Sequence, residues 1–98
     1  MRRAARVDSN HSHIVSAFRK MGCSVLSLAA LGAGVPDLLV AIEGTTWLVE
    51  VKFGKGEEND LQREWADNWL GMRAVVRDIQ GVENVVKMMR LSDKNGHG

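Results

Sequence analysis

Residues 34–52, GVPDLLVAIEGTTWLVEVK, read as two β-strands joined by a tight turn. Side chains of a strand alternate between the two faces of a sheet, and opposite residues of a hairpin share a face. A two-residue turn at Gly44-Thr45 therefore predicts a wholly apolar face that can pack on a core. The predicted pairs are Leu38 with Val51, Val40 with Val49 and Ile42 with Trp47.

The other face of this hairpin is expected to carry charged residues. With the same turn, Asp37 lies opposite Lys52, and Glu50 lies one step along the strand. A three-residue loop would move Asp37 to the opposite face from Glu50, so the apolar pairs and the charged residues favour the same even-numbered loop. Pro36 has no amide hydrogen to donate, which places Asp37 at the mouth of its strand.

Two carboxylates on one face need a nearby cation. At a separation of about 5 Å they repel by roughly 3 kcal/mol at an effective dielectric constant of about 20. Lys52 supplies one positive charge, and Mg²⁺ or Mn²⁺ would supply two while accepting a substrate phosphate as a further ligand. Such an ion polarises a scissile phosphate and activates a bound water, and an ammonium group orients that water or neutralises developing charge. The pattern predicts phosphodiester hydrolysis.

An alternative follows from composition, because an acid-x-Lys triplet also arises by chance on a charged surface strand. In that case Glu50 and Lys52 have only a structural role, and the chain is a non-catalytic DNA-binding or subunit-interaction module. The Pro-Asp step, the apolar alternation on both strands and the short even loop favour the enzyme.

Three stretches resemble the VRR-NUC (virus-type replication-repair nuclease) domain of the PD-(D/E)xK nuclease superfamily, in its small stand-alone phage and bacterial type. They are residues 32–39, residues 47–52 and the helical Leu61-Gln62-x-x-Trp65, within a resemblance that spans about residues 8–91. The resemblance implies an α/β fold with a restriction-endonuclease-like core, a central mixed β-sheet flanked by helices in the order α-β-β-β-α-β-α. It also implies an Mg²⁺- or Mn²⁺-dependent DNA endonuclease, selective for branched DNA like a Holliday junction resolvase, that acts as a homodimer.

The family pattern assigns roles to individual residues. It makes Asp37 and Glu50 metal ligands, with the backbone carbonyl of Val51 sharing the ion. Lys52 becomes the catalytic lysine, and Gln62 joins the catalytic set from the following helix.

One position departs from the family pattern. Many relatives carry a glutamate on the first helix, where this sequence aligns His13. An imidazole is a good ligand for transition metals and a poor one for Mg²⁺. The departure points to a single metal or to a preference for Mn²⁺. His11 and His13 lie about 200° apart on a helix, so they are not expected to chelate one ion together. His13 alone could face the site, although a lone surface histidine is the more common case.

Length and charge bound the remaining expectations. The 98 residues carry a net charge of +1, which fits one domain at 8–91 between a basic arm at 1–7 and a tail at 92–98 that is expected to be disordered. Candidate DNA contacts are Arg2, Arg3 and Arg6 of the arm and Lys55 of a glycine-containing loop. The lone Cys23 is expected in the core, and without a membrane-length apolar run the expected location is cytoplasmic, in a bacterial or phage-infected cell.

The remaining elements follow from periodicity and from helix-ending and turn residues. A first helix with Ile14 and Phe18 on its buried face is expected to end at Gly22, before a strand over residues 24–31. A helix over residues 58–70 carries an apolar stripe, which favours core packing over a base-stacking platform. The stripe consists of Leu61, Trp65 and Trp69. A strand over residues 74–79 and a helix over residues 82–91 complete the fold.

Overall fold

The computed structural model describes residues 8–96, with side chains from His11 to Ser92. The predicted arm at 1–7, with Arg2, Arg3 and Arg6, lies outside the described residues. The elements are α1 (Asp8–Lys20), β1 (Ser24–Ser27), β2 (Leu38–Ile42), β3 (Thr45–Val51), α2 (Asp60–Asp67), β4 (Arg73–Val76) and α3 (Ile79–Gly96). The strands form one sheet in the order β1-β2-β3-β4, in which β4 is parallel to β3 and the other neighbours are antiparallel. The mixed α/β fold and its order of elements are therefore confirmed.

The hairpin of β2 and β3 has the predicted faces but not the predicted register, which was wrong by two residues. The turn is Glu43-Gly44 rather than Gly44-Thr45. Both turn residues have positive φ, 51° and 84°, the combination that a type I′ hairpin turn requires. A shift of two residues leaves every side chain on its predicted face because the strand period is two. The observed pairs include Leu38 with Val49, Val40 with Trp47 and Ile42 with Thr45.

The apolar face of the hairpin forms the core with α1 and α3. Leu38, Val40 and Val49 have no exposed surface, and each such aliphatic side chain contributes about 1.5–3 kcal/mol by leaving water. Cys23 belongs to the same core, as predicted, and burial raises the pKa of its thiol. The two helices contribute Ile14 and Phe18 from α1, and Val82, Val85, Val86 and Met89 from α3.

Three element boundaries differ from the predicted ones for local reasons. β1 ends at Ser27, whose hydroxyl accepts a hydrogen bond from the Ala29 amide, and a 3₁₀ turn over Ala29–Leu31 replaces the rest of the predicted strand. α3 begins at Ile79 because the Asp78 carboxylate accepts a hydrogen bond from the Gly81 amide, a capping role. At its other end, α3 includes residues 92–96 of the predicted disordered tail; residues 97 and 98 lie outside the described part.

The predicted core position of the α2 stripe was wrong. Leu61 is 57% exposed and Trp69 is 42% exposed, while Trp65 is half-buried. α2 is only eight residues long and contributes no side chain to the core cluster. The two indoles stack on each other instead, with ring centroids 5.0 Å apart.

None of the helices within residues 8–96 has both the length and the apolar character that crossing a bilayer requires.

Candidate active site

The four predicted catalytic residues meet in one cleft at the mouth of the hairpin. The cleft has a volume of about 360 Å³. Residues from α1, β3, α2 and the segment before β2 reach it, so the fold rather than local sequence assembles it. Its lining comprises His11, Ser27, Ala29, Asp37, Glu50, Val51, Lys52, Phe53 and Gln62.

Asp37 is fixed immediately before β2 by hydrogen bonds to both neighbouring strand regions. Its backbone carbonyl accepts from the Leu28 amide at 2.7 Å, and its Oδ2 accepts from the Val51 amide at 2.8 Å. Its other carboxylate oxygen, Oδ1, lies 3.8 Å from Nε2 of His11. One oxygen therefore positions the side chain and the other faces the cleft residue His11.

Glu50 is the buried acid of the site, with 2% of its surface exposed. Its Oε2 accepts a hydrogen bond from Nε2 of Gln62 at 3.1 Å, but its buried Oε1 has no hydrogen-bond partner among the described residues. Burial, then the negative charge of Asp37 and a side-chain hydrogen bond between the two carboxyl groups, raise the pKa of Glu50 to about 7, although Lys52 and Arg73 act in the opposite direction. Two nearby protein cations thus do not offset the cost of this buried carboxylate.

Gln62 connects Lys52 to the start of α2. The Lys52 ammonium donates to Oε1 of Gln62 at 2.7 Å, and its Nζ lies 3.7 Å from Oε2 of Glu50. Oε1 of Gln62 also accepts from the Asn59 amide at 3.0 Å, while Oδ1 of Asn59 accepts from the Gln62 amide at 2.9 Å. This reciprocal pair is a capping box. The start of the helix therefore fixes the amide that orients the lysine.

Gly34 brings α2 against the segment that leads to Asp37. It has a φ of 85°, and a Cβ at this position would lie 2.8 Å from the carbonyl carbon of Leu61 and 3.2 Å from Cβ of Trp65. The absence of a side chain permits this approach. The space next to Gly34 is occupied by the backbone of α2.

The histidine at the cleft is His11, whereas His13, the candidate from the family alignment, lies elsewhere on α1. His13 lies in a separate groove of about 510 Å³ with Ser16 and Lys20. The buried face of α1 explains the difference, since Ile14 and Phe18 point into the core and His11, three residues before Ile14, lies on the same side of the helix. That spacing was the available signal for His11.

Lys55 lies on an exposed loop outside the cleft. Arg77 holds this loop by donating to the backbone carbonyls of Gly54 and Gly56. Arg73 is a cation that acts on Glu50 and lies outside the sequence motifs. It pairs with Leu48 in the β3–β4 register and forms an ion pair with Glu58. Because Leu48 and Glu50 share a face, Arg73 lies on the side of the sheet that carries Glu50.

Comparisons with known proteins agree with this fold. Neither a protein-family model nor a curated protein matches the chain. Among solved structures, a VRR_NUC domain matches with a TM-score of 0.63 and 25% sequence identity, over 79% of this chain and 89% of that chain. The fold and the match support a nuclease-family domain. The resemblance of the sequence to the VRR-NUC domain is thereby confirmed.

Proposed function

We propose that this protein is a metal-dependent deoxyribonuclease that hydrolyses phosphodiester bonds. The observation that carries the proposal is Glu50, a carboxylate buried beside Asp37 with one oxygen lacking a partner among the described residues. If Glu50 had only a structural role, both of its carboxylate oxygens would have hydrogen-bond partners, because an unsatisfied buried polar atom costs about 1–3 kcal/mol. The arrangement supports a cation-binding role over the structural alternative.

The donor set fits Mg²⁺ or Mn²⁺, which prefer hard oxygen ligands. Oδ1 of Asp37, Oε1 of Glu50 and the backbone carbonyl of Val51 would hold the ion. When bound, the ion supplies a Lewis acid for the phosphate and lowers the pKa of a coordinated water. No group of three His, Cys, Asp or Glu side chains within residues 11–92 is arranged to hold a metal, so the proposed site depends on a backbone ligand and on water or substrate oxygens.

Lys52 acts beside this ion as the residue that balances developing negative charge. Its side chain is 15% exposed, and Gln62 directs its ammonium along the cleft next to Glu50. A pre-oriented charge in a partly desolvated cleft stabilises a transition state more strongly than a mobile one in water. His11 faces Oδ1 of Asp37 from α1 and can orient a water or contribute an imidazole ligand.

The preferred substrate in this proposal is branched DNA, cut by a homodimer in a cytoplasmic compartment. The support is the resemblance to VRR-NUC domains together with the small size of a single domain. The catalytic cleft of a single domain accommodates one DNA strand at a time. A symmetric pair of such clefts suits the two strands that are cut at a four-way junction.

Calorimetric titration tests the metal site directly. Mn²⁺ added to the purified protein is expected to bind, and Asp37→Asn and Glu50→Gln are each expected to abolish measurable binding. Glu83→Gln, which neutralises an exposed acid on α3, is the matched control and should bind as the parent does. Binding that persists unchanged in both site variants would contradict the proposed ligands.

A cleavage assay tests the chemistry and the substrate. Labelled four-way junctions, flaps, nicked duplex and single strands are incubated with Mg²⁺, with Mn²⁺ or with EDTA. Cleavage should require metal and favour junctions, and Lys52→Met should slow it about 100-fold or more, whereas the exposed-lysine control Lys87→Met should not. Equal cutting of junctions and single strands would remove the branched-DNA preference while leaving the nuclease proposal in place.

A further inference from the structure

An apolar groove of about 250 Å³ lies beside the cleft on α2. We call it the indole groove, and the proposed catalytic chemistry uses none of its side chains. It contains two of the three tryptophans of the chain, whereas the third, Trp47, is buried in the core. The groove is lined by Ala33, Leu61, Glu64, Trp65, Asn68 and Trp69.

The two indoles form a pre-organised stack. Their ring centroids are 5.0 Å apart with an interplanar angle of 21°, and Trp69 is 42% exposed. Gly71 permits this position of Trp69, since a Cβ on Gly71 would lie 2.8 Å from Nε1 of the indole and 3.0 Å from its Cε2. An exposed aromatic plane held in this way resembles the stacking surfaces on which proteins bind unpaired bases.

We propose that the indole groove binds one unpaired nucleobase of the DNA substrate, stacked on Trp69. The proposal rests on the proposed nuclease function. Gln62 reaches the cleft, and Leu61, its neighbour on the same helix, lines the groove. Adjacent helical positions diverge by about 100° on a helix about 10 Å across. A strand with a phosphate in the cleft can therefore place a nearby base in the groove.

The charges around the groove favour a base over a phosphate. Three acids, Asp60, Glu64 and Asp67, lie on α2 with one cation, Arg63, which forms an ion pair with Asp60. The net negative charge of the helix repels the phosphodiester chain of an intact duplex. A nucleobase has no formal charge. The carboxylate of Glu64 can also accept a hydrogen bond from the exocyclic amino group of cytosine. The groove thus suits an unpaired base, and an amino-bearing base in particular.

The same charges argue against a second copy of the chain as the occupant. In a two-fold symmetric interface the same surface meets itself. Such an interface centred on Trp69 would bring the acids of α2 in one copy against those of its partner. Like charges brought together in an interface oppose association.

Tryptophan fluorescence tests the proposal in the intact protein with EDTA present, so that the readout does not depend on catalysis. Because Trp47 is buried, Trp65 and Trp69 are the indoles accessible to a ligand. An oligo-dC single strand should quench the emission saturably, oligo-dT should quench it less, and a blunt duplex should leave it nearly unchanged. Absence of quenching by both single strands would overturn the proposal.

Variants assign the signal to the groove. By anisotropy of labelled oligo-dC, Trp69→Leu is expected to weaken binding about 5- to 100-fold. Gly71→Ala, which retains both indoles but displaces Trp69, should also weaken it. Leu70→Ala, at a 99% exposed neighbour, is the control and should bind normally. Unchanged affinity in both groove variants would contradict the proposal.

Two further measurements separate this proposal from its rivals. Sedimentation of the free protein that changes from dimer to monomer in Trp69→Leu would overturn the proposal, because the groove would then be an interface between copies. Metal-dependent cleavage measured in parallel distinguishes the two proposals. Quenching without cleavage would overturn the nuclease function alone, and cleavage without quenching would overturn the base site alone.

Discussion

The side chain of Gln62 accepts a hydrogen bond from the Lys52 ammonium at 2.7 Å. The same amide donates to Glu50 and accepts from the Asn59 backbone at the start of α2. One residue therefore links a helix cap, the buried acid and the proposed catalytic lysine. The precision of the site depends on where α2 begins.

Replacing Gln62 should impair cleavage more than it impairs folding. Gln62→Met retains the length of the side chain but removes its hydrogen bonds to Lys52 and Glu50, so we expect kcat to fall about 10- to 100-fold, as for other residues that orient a site. Loss of half of the capping box should reduce the free energy of unfolding by about 1 kcal/mol. Single-turnover cleavage and urea unfolding measure the two effects.

Asn59→Ala is the matched control for Gln62→Met. It removes the side-chain cap of α2 but leaves the Asn59 amide and the Gln62 side chain in place. We expect a similar loss of stability, about 1 kcal/mol, with kcat reduced by less than about threefold. An equal loss of kcat in both variants would show that the cap, and not the contact with Lys52, is the important feature.

Two glycines before Asp37 allow the cost of backbone strain to be measured separately from the cost of disturbing close packing. Gly34 and Gly32 both have positive φ, 85° and 61°, but a Cβ would collide with Leu61 only at Gly34. Gly32→Ala should cost about 1–3 kcal/mol for the backbone alone, because φ 61° with ψ −151° is a combination that essentially only glycine adopts. Gly34→Ala should cost more and should also displace α2, lowering kcat and weakening Mn²⁺ binding. Unfolding, calorimetry and cleavage of the pair provide the comparison, and equal effects would contradict the packing role.

The sequence predicted the faces of the hairpin better than its register. Side chains alternate between faces with a period of two, so a register shifted by two residues leaves each side chain on the same face. Asp37 and Glu50 were therefore correctly placed on the polar side even though the turn was misplaced by one residue. The turn chemistry contained the missing information, because Gly44 suits the second position of a type I′ turn. The order of the elements could be predicted because it depends on hydrophobic periodicity and on turn and helix-ending residues.

Features that arise from tertiary packing were not available from periodicity. The α2 stripe has core-like spacing, but α2 lies beside the cleft and contributes nothing to the core. Arg73 and Glu58 are 15 residues apart and meet only through the β3–β4 crossover. The choice between His11 and His13 was different, since the buried face defined by Ile14 already indicated His11.

Loss of the proton of Glu50 should make the metal-free protein less stable at high pH. Its folded-state pKa of about 7 lies above the ordinary value of 4.5, so the folded state binds more protons between these values. The contribution of this carboxyl to stability is then greatest below pH 4.5 and is lost as pH rises through 7, by up to about 3 kcal/mol. Urea unfolding in EDTA at pH 5 and pH 8 measures the decline.

Glu50→Gln identifies the group responsible for that pH dependence. The variant should be more stable than the parent at pH 8 and should change much less between pH 5 and pH 8, because it has no proton to lose at this position. Glu83→Gln should retain the dependence of the parent. Saturating Mn²⁺ should stabilise the parent at pH 8 by binding the ionised form. A parent protein and Glu50→Gln with the same pH dependence would rule out this carboxyl.

The identity of the residue at position 11 should set the metal preference of the enzyme. His11 lies 3.8 Å from Oδ1 of Asp37, and a carboxylate there would add a hard oxygen ligand that Mg²⁺ prefers to an imidazole. His11→Glu should therefore raise the ratio of Mg²⁺- to Mn²⁺-supported cleavage about tenfold, measured as initial rates on one DNA substrate. His13→Glu introduces the same charge in the separate groove and should leave the ratio unchanged. A shift with His13→Glu and none with His11→Glu would return the site to the position that the family alignment indicated.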